Sequence, residues 1–282
     1  MQAKFIEEKI FKGLMIFSTL LIIVALGTIL LSIIIKGLPA LSWEMLTQTP
    51  KGGFYLGKSG GILNAIMGSF YIAIGSTLLS LFVSIPVALY INIYRKKFSK
   101  YSNFVRLCLD VLWGVPSIVY GALGFSLMLF IGLKTSLLAG ILIVTILIIP
   151  VMIRAMDEVI KTVPKGLVEA SLALGATKSE TSLKVVVRQT LPGIVTAVLI
   201  SFGRAIGDAA SVMYTTGFTD NVPSSLMNQA ATLPLAILNL VSSPIKEVQD
   251  KAYASALVLT LIILILSVAS RMLTKKYSKN KL

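Results

Sequence analysis

Two charged residues interrupt an otherwise uncharged apolar run: Arg204 and Asp208, within Leu191–Phe218. An ionised side chain at mid-bilayer costs about 2.5–3.5 kcal/mol on insertion scales, so each needs water or a partner. Four residues apart on a continuous helix, they share one face and can neutralise each other. Two chemistries are open to them. As a closed ion pair they only stabilise packing. As a guanidinium tempered by a carboxylate, they offer a planar fork to two oxygens of a tetrahedral anion while lowering the net attraction enough for release. Gly203 and Gly207 beside them form a small-residue face that another helix can approach closely. Other reactive constellations are missing. The chain has no histidine and one cysteine, Cys108, which removes imidazole bases, disulfides and thiolate clusters. No acidic cluster suggests a metal. No catalytic residue, metal or cofactor is expected on this chain.

The elements that must position these groups are membrane spans. Of 282 residues, 56% are hydrophobic and only 13% charged, against about 25% charged in a soluble domain. Mean hydropathy is +0.88. Soluble, disordered and disulfide-stapled classes are excluded, and an all-α polytopic membrane protein is expected. Uncharged runs long enough to cross a bilayer lie at Leu14–Ile35, Ile62–Tyr94, Val111–Leu133, Thr135–Ile153, Leu191–Phe218 and Ala252–Ser270, giving six spans. Pro86 suggests a bend or break in the second; Pro116 and Pro150 punctuate the third and fourth. Thr219–Asp250 contains the apolar stretch Leu226–Val241, broken by Pro234, which at that length reads as a re-entrant or interfacial helix. Trp43 is a candidate interfacial anchor.

The net charge of +14 is distributed as a topology signal and requires no nucleic-acid partner. Lys4, Lys9 and Lys12 precede the first span. Arg95, Lys96, Lys97, Lys100 and Arg106 follow the second, a further group separates the fourth and fifth, and the tail after Arg271 is basic. Few basic residues, Lys58 and Lys134 among them, fall on the other side. The positive-inside rule then puts both termini in the cytoplasm.

Between the fourth and fifth spans, Val163–Pro192 reads as two short helices joined at a glycine. Pro164 suits a first turn, Gly175 a left-handed C-terminal position, and Thr177 with Glu180 a capping box. Leu167, Ala170 and Leu174 share one face, a small apolar key. Glu169-Ala170, with Gly175 six residues after the glutamate, resembles the EAA loop of bacterial ABC importer permeases. Gly60-Gly61-Ile62, the run Asp110–Val119 through Pro116-Ser117, Glu169–Thr177 and Arg204–Asp208 follow the order seen in the phosphate permeases of that family. Here Asp208 stands where the family usually carries glutamate, and Pro192 falls later than its usual proline.

The resemblance implies a type I (MetI-like) permease bundle. It divides the chain into an N-terminal helix and external segment over 1–61, a core over 62–274 with a coupling loop at 158–190, and a basic tail at 275–282. It implies a membrane subunit of an ATP-driven importer of inorganic phosphate in a bacterial or archaeal cell membrane. The expected partners are a second homologous permease, a pair of ATPase subunits that bind ATP and magnesium, and an extracytoplasmic phosphate-binding protein. Glu169, Ala170, Gly175, Leu167 and Leu174 would engage the ATPase. Arg204, Asp208 and Arg154 would serve the translocation path, Arg154 also fitting a plain interfacial arginine. No phosphate loop for ATP is expected in this chain, so its motor belongs to another polypeptide. A permease for sulfate, molybdate or tungstate is the nearest alternative; a membrane-embedded enzyme or a passive channel is more distant.

Overall fold

A computed structural model describes residues 2–51, 59–94 and 99–278. Lys58, Arg95, Lys96, Lys97 and the tail from residue 279 onward, all part of the charge reading, lie outside the described residues. Helix α1 (Gln2–Gly37) leads through a short α2 (Trp43–Thr47) and a two-residue hairpin, β1 (Pro50–Lys51) against β2 (Ser59–Gly60). Helix α3 (Leu63–Leu89) continues as a π-helical turn, Tyr90–Tyr94. Then come α4 (Lys100–Gly114), α5 (Ser117–Ile131), α6 (Leu137–Lys161), α7 (Lys165–Ala173) and α8 (Lys178–Glu180). A second π-helical turn (Thr181–Val186) feeds α9 (Val187–Ile206), followed by α10 (Leu233–Val241) and α11 (Lys246–Ser278).

Five helical segments are long and apolar enough to cross a membrane: Glu7–Gly37, Leu63–Tyr94, Leu137–Lys161, Lys178–Ile206 and Lys246–Met272. This is a multi-pass membrane protein. The expected third span, Val111–Leu133, is not a single rod. Its residues belong to α4 and α5, which meet at 94°. Pro116 is the cause: it has no N–H and disfavours helix in the residue before it, and Val115 is extended at φ −68°, ψ 129°. The Tyr120 hydroxyl braces the elbow by donating to the Leu112 carbonyl at 2.8 Å. Pro86 neither breaks nor ends α3, which runs on to Leu89 before widening into its π turn.

The fifth span also differs from Leu191–Phe218. The helical path begins at Lys178 and ends at Ile206, with Gly207 as its cap. From Gly207 to Thr232 the chain is irregular and folds back into the bundle. Irregular backbone at membrane depth persists only where protein or a wet cavity satisfies its polar groups. Here the first amides of α6 do so. Ser136 N–H donates to Thr215 O (3.0 Å), Leu137 N–H to Asn228 O (2.7 Å) and Leu138 N–H to Leu226 O (2.8 Å). Asn64 Nδ2 donates to Thr219 O at 2.6 Å, and the Ser69 hydroxyl accepts from Leu233 N–H at 2.7 Å. Pro234 lies in the first turn of α10, where its missing N–H is harmless, so it starts that helix where a break was expected.

Small residues make room for this segment. A Cβ at Gly68 would strike the Ala231 carbonyl, and one at Gly140 the Thr216 methyl. Around them α3 packs along α6 through Ile72, Ala73, Ile141, Val144 and Ile148. At the end of the bundle that carries the 162–186 loop, Ala88, Leu89, Met152, Met156, Ile160, Val186 and Ile194 form a second buried cluster. Helix α1 is exposed along nearly its whole length and packs chiefly on α11. Gly37 meets the Tyr253 backbone there, and Lys36 Nζ sits 4.7 Å above the Tyr253 ring.

Gly68→Ala is expected to lower the thermal stability of the purified protein, because a backbone carbonyl cannot rotate away from the added methyl; overpacking of this kind costs about 1–3 kcal/mol. Gly27→Ala, at a site with nothing within 4 Å, should leave the melting temperature unchanged. Equal melting curves for the two variants would refute the close-approach account.

Candidate functional site

The 162–186 loop is built from local rules that the sequence states openly. Pro164 caps α7 with φ −59° and ψ 132°, one position before the first helical residue. At the other end Gly175 has φ +84°. Its N–H donates to Leu172 O at 3.0 Å, and Ala176 N–H to Ser171 O at 3.2 Å. These paired bonds are the Schellman closure that a left-handed glycine permits. The capping box is complete: Thr177 Oγ1 accepts from Glu180 N–H at 3.2 Å, and Glu180 Oε2 accepts from Thr177 N–H at 3.1 Å. Lys184 completes the turn with an ion pair to Glu180 at 3.2 Å. A hydroxyl contact at 2.9 Å between Ser171 and Thr181 ties the two helices together.

The two stops and starts aim α7 as a unit. Val163 and Val168 turn inward to the buried cluster. Leu167 is 42% exposed and Leu174 89%, with Glu169 and Ala170 also exposed. The apolar key of Leu167, Ala170 and Leu174 is therefore presented outward and unpartnered within the described residues. Under α7 lies a cavity of about 160 Å³, lined by Asn92, Ile93, Ile160, Val163, Lys165, Val168, Glu169 and Val186. Glu169 stands on its wall.

Arg154 is far from a plain interfacial arginine. Its Nε lies 2.7 Å from Asp110 on α4, and its Nη1 is 3.0 Å from Asp157 and 3.3 Å from Glu158. It joins the bent pair to α6. Asp110 is its partner there. The spacing Arg154, Asp157, Glu158, Lys161 follows the i,i+3 and i,i+4 pattern of helical ion pairs, and that signal could have exposed the cluster.

Arg204 and Asp208 do not form the expected helical pair. Helix α9 ends between them, so the four-residue spacing no longer places them on one face. The Asp208 carboxylate turns forward and accepts from the N–H of Ser211 at 2.9 Å and from the Ser211 hydroxyl. No ion pair joins it to Arg204 among the described residues. Arg204 is half-buried, and its Nε is enclosed without a hydrogen-bond partner. A Cβ on neighbouring Gly203 would meet nothing within 4 Å. Tyr120, at the elbow, lies within electrostatic reach of Arg204.

The expectation that no phosphate-loop string occurs needs correction. Gly52–Ser59 spells G-x-x-x-x-G-K-S. Such a loop needs a strand leading in and a helix opening at the Lys-Ser. Here Ser59 belongs to a two-residue strand paired with Lys51, and α3 opens later, at Leu63. The context for nucleotide phosphates is absent at those described flanks.

Comparison with known proteins gives a consistent picture. Residues 84–279 match the model of a family described as "Binding-protein-dependent transport system inner membrane component". The phosphate transport system permease protein PstA of Haemophilus influenzae is 31% identical, with 94% of this chain and 93% of that protein covered. PstA 2 of Mycobacterium bovis is 30% identical, covering 86% and 80%. Among solved structures, the inward-facing MetNI methionine ABC transporter aligns with a TM-score of 0.60 at 18% identity, over 77% of this chain and 95% of the other. A chain of a bacterial alginate ABC transporter aligns with a TM-score of 0.63 at 14% identity, over 98% and 99%. At those identities the structures speak for the fold, a MetI-type permease bundle.

Thr177→Ala removes the cap acceptor for Glu180 N–H, a loss of about 1 kcal/mol. Amide exchange followed by mass spectrometry should then rise several-fold in a peptide covering 178–186 and stay unchanged within α6. Unaltered protection over 178–186 would show that the box does not hold the turn.

Proposed function

The chain belongs to the family of binding-protein-dependent transport system inner membrane components, and from that premise we propose that it is the permease subunit of an inorganic phosphate importer. The observation that carries the coupling half of this reading is α7: a short helix fixed at both ends, presenting an apolar face that nothing among the described residues covers. Such a key fits a groove on a separate ATPase. The phosphate half rests on the relatives named as phosphate permeases along most of their length. It is supported by the enclosed, unpartnered Nε of Arg204 beside the open face of Gly203.

In this reading ATP and magnesium bind the ATPase pair, and this chain supplies no catalytic group. The positive-inside rule supports a cytoplasmic position for the α7 end and for both termini. A second, homologous permease closes the other half of the path, and an extracytoplasmic binding protein delivers phosphate to the opposite end. Arg204 offers its fork to the anion. Asp208, engaged by Ser211, holds the backbone after α9 and leaves that fork free. This division of labour replaces the mutual neutralisation that a continuous helix would allow.

Two experiments on the assembled transporter in vesicles test this. Gly175→Val forces a β-branched residue into left-handed backbone, about 1–2 kcal/mol of strain at the hinge of the key. Together with Glu169→Lys, it is expected to leave membrane insertion intact and uncouple ATP hydrolysis from uptake. Normal uptake in both variants at wild-type abundance would sink the coupling role.

For the path, Arg204→Lys keeps the charge and loses the bidentate fork. Phosphate uptake should fall by about one to two orders of magnitude, the scale of a charge-assisted hydrogen bond, with ATP hydrolysis retained. Asp208→Glu should be the mildest change. Sulfate, molybdate or tungstate supplied at equal concentration should compete weakly. Full phosphate uptake by Arg204→Lys would remove Arg204 from the path, and stronger competition by another oxyanion would reassign the substrate.

A further inference from the structure

The most heavily buried charge of the described chain is Asp157, with a side chain 0% exposed near the end of α6. Its Oδ1 accepts from Asn92 Nδ2 at 2.8 Å and Arg106 Nη2 at 2.9 Å. Its Oδ2 accepts from Arg106 Nε at 2.9 Å, and lies 3.0 Å from Arg154 Nη1 and 2.7 Å from Lys161 Nζ. Arg106 thus grips the carboxylate with its fork, the bond geometry that fixes direction as well as distance. Arg106 Nη2 also reaches Asn92 Oδ1 at 3.3 Å. Around this centre Arg154 holds Asp110, and Lys161 holds Glu158 at 2.8 Å. Three carboxylates and three cations close the network. Its members come from the π turn after α3, from α4 and from α6.

We infer that Asp157 is the positioning residue that joins these three helix ends into one lever, so that movement of α7 reaches the elbow of α4 and α5 and the Arg204 region beyond it. This rests on the proposed coupling role of α7. The connection is physical at each step. Helix α6 ends at Lys161 and passes into α7, which opens at Lys165. Asn92 serves both the network and the wall of the cavity under α7. That cavity leaves α7 incompletely packed on the bundle; beside the Val168 contact and the Ser171–Thr181 bond, the α6 backbone with the charges on its last turns connects α7 to α4. Arg106 and Asp110 carry the same network into α4. At the far end of α4, the Leu112 carbonyl is bonded to Tyr120 on α5, which lies within electrostatic reach of Arg204. A buried ion cluster is a poor choice if stability alone is at stake, since packed apolar residues do as well or better. It is a good choice where orientation between three separate segments must be kept during movement.

The test uses the complete transporter in vesicles, with inorganic phosphate as probe, and reads phosphate taken up per ATP hydrolysed. Arg106→Lys keeps the charge, loses the fork and should assemble; this ratio is expected to fall about tenfold, within the usual range of coupling energies between sites. Asp157→Asn leaves three cations around a neutral amide, and a loss of abundance there is balanced by the double variant Arg106→Gln with Asp157→Asn. The double variant should recover abundance and remain uncoupled. A purely structural staple predicts the opposite, a wild-type ratio in Arg106→Lys and in the double variant, and either result would overturn the inference. Wild-type vesicles separate the two levels of argument. If they import no phosphate, the substrate reading fails, and the variants are then read by how far the extracytoplasmic binding protein stimulates ATP hydrolysis. Unchanged stimulation in Arg106→Lys again overturns the positioning role.

Discussion

A carboxylate taken out of water must be compensated in place or lose its charge. Asp157 meets that demand with a guanidinium fork, a second arginine, a lysine and an amide, drawn from three helix ends. Each of those helices ends differently. Helix α3 widens into a π turn, α4 begins at Lys100, and α6 prepares to leave the bundle. A buried apolar cluster of Ala88, Leu89, Met156 and Ile160 packs the end of α3 against that of α6, and the ionic centre ties α4 to both through Arg106 and Asp110. The 162–186 loop leaves from this same end of the bundle.

The interior is arranged on another basis. Between α3, α6 and the 207–232 segment the polar contacts are neutral: serine and threonine hydroxyls, one asparagine, and helix amides given to loop carbonyls. Ser76, Ser80 and Ser84 lie buried along α3 against α6, which lets the helices approach closely without introducing charge. An irregular segment can then lie at membrane depth, because the carbonyls of Thr215, Leu226 and Asn228 meet amides at the start of α6 and that of Thr219 meets the Asn64 amide at the start of α3. Arg204 closes this neutral zone at the last turn of α9 and is the charged group set against it.

Much of this was legible in the residues. Apolar runs located the crossings, and the loop could be read down to its left-handed glycine and its capping box, because those features depend on a few adjacent residues. Where the sequence misled, a longer-range term decided. Val111–Leu133 is uniformly apolar, and hydropathy is blind to the backbone restriction that Pro116 places on Val115. Arg204 and Asp208 are four residues apart, and the pairing assumed a helix that Gly207 ends. The phosphate-loop letters at Gly52–Ser59 stand in the sequence itself, and it is the described flank after them, a strand at Ser59 with α3 opening only at Leu63, that lacks the required helix. Asp157 went unremarked because its importance lies in Arg106 and Asn92, far away along the chain and adjacent only after folding.

The placement of α1 has a consequence for how the molecule is made. Its main packing partner is α11, met at Gly37 and Tyr253, and the rest of its surface faces outward. Because α11 is made long after α1, α1 must stand in the lipid without that partner, held by hydropathy, while the elements between them are synthesised. Its docking on α11 then brings together two segments that lie far apart along the chain.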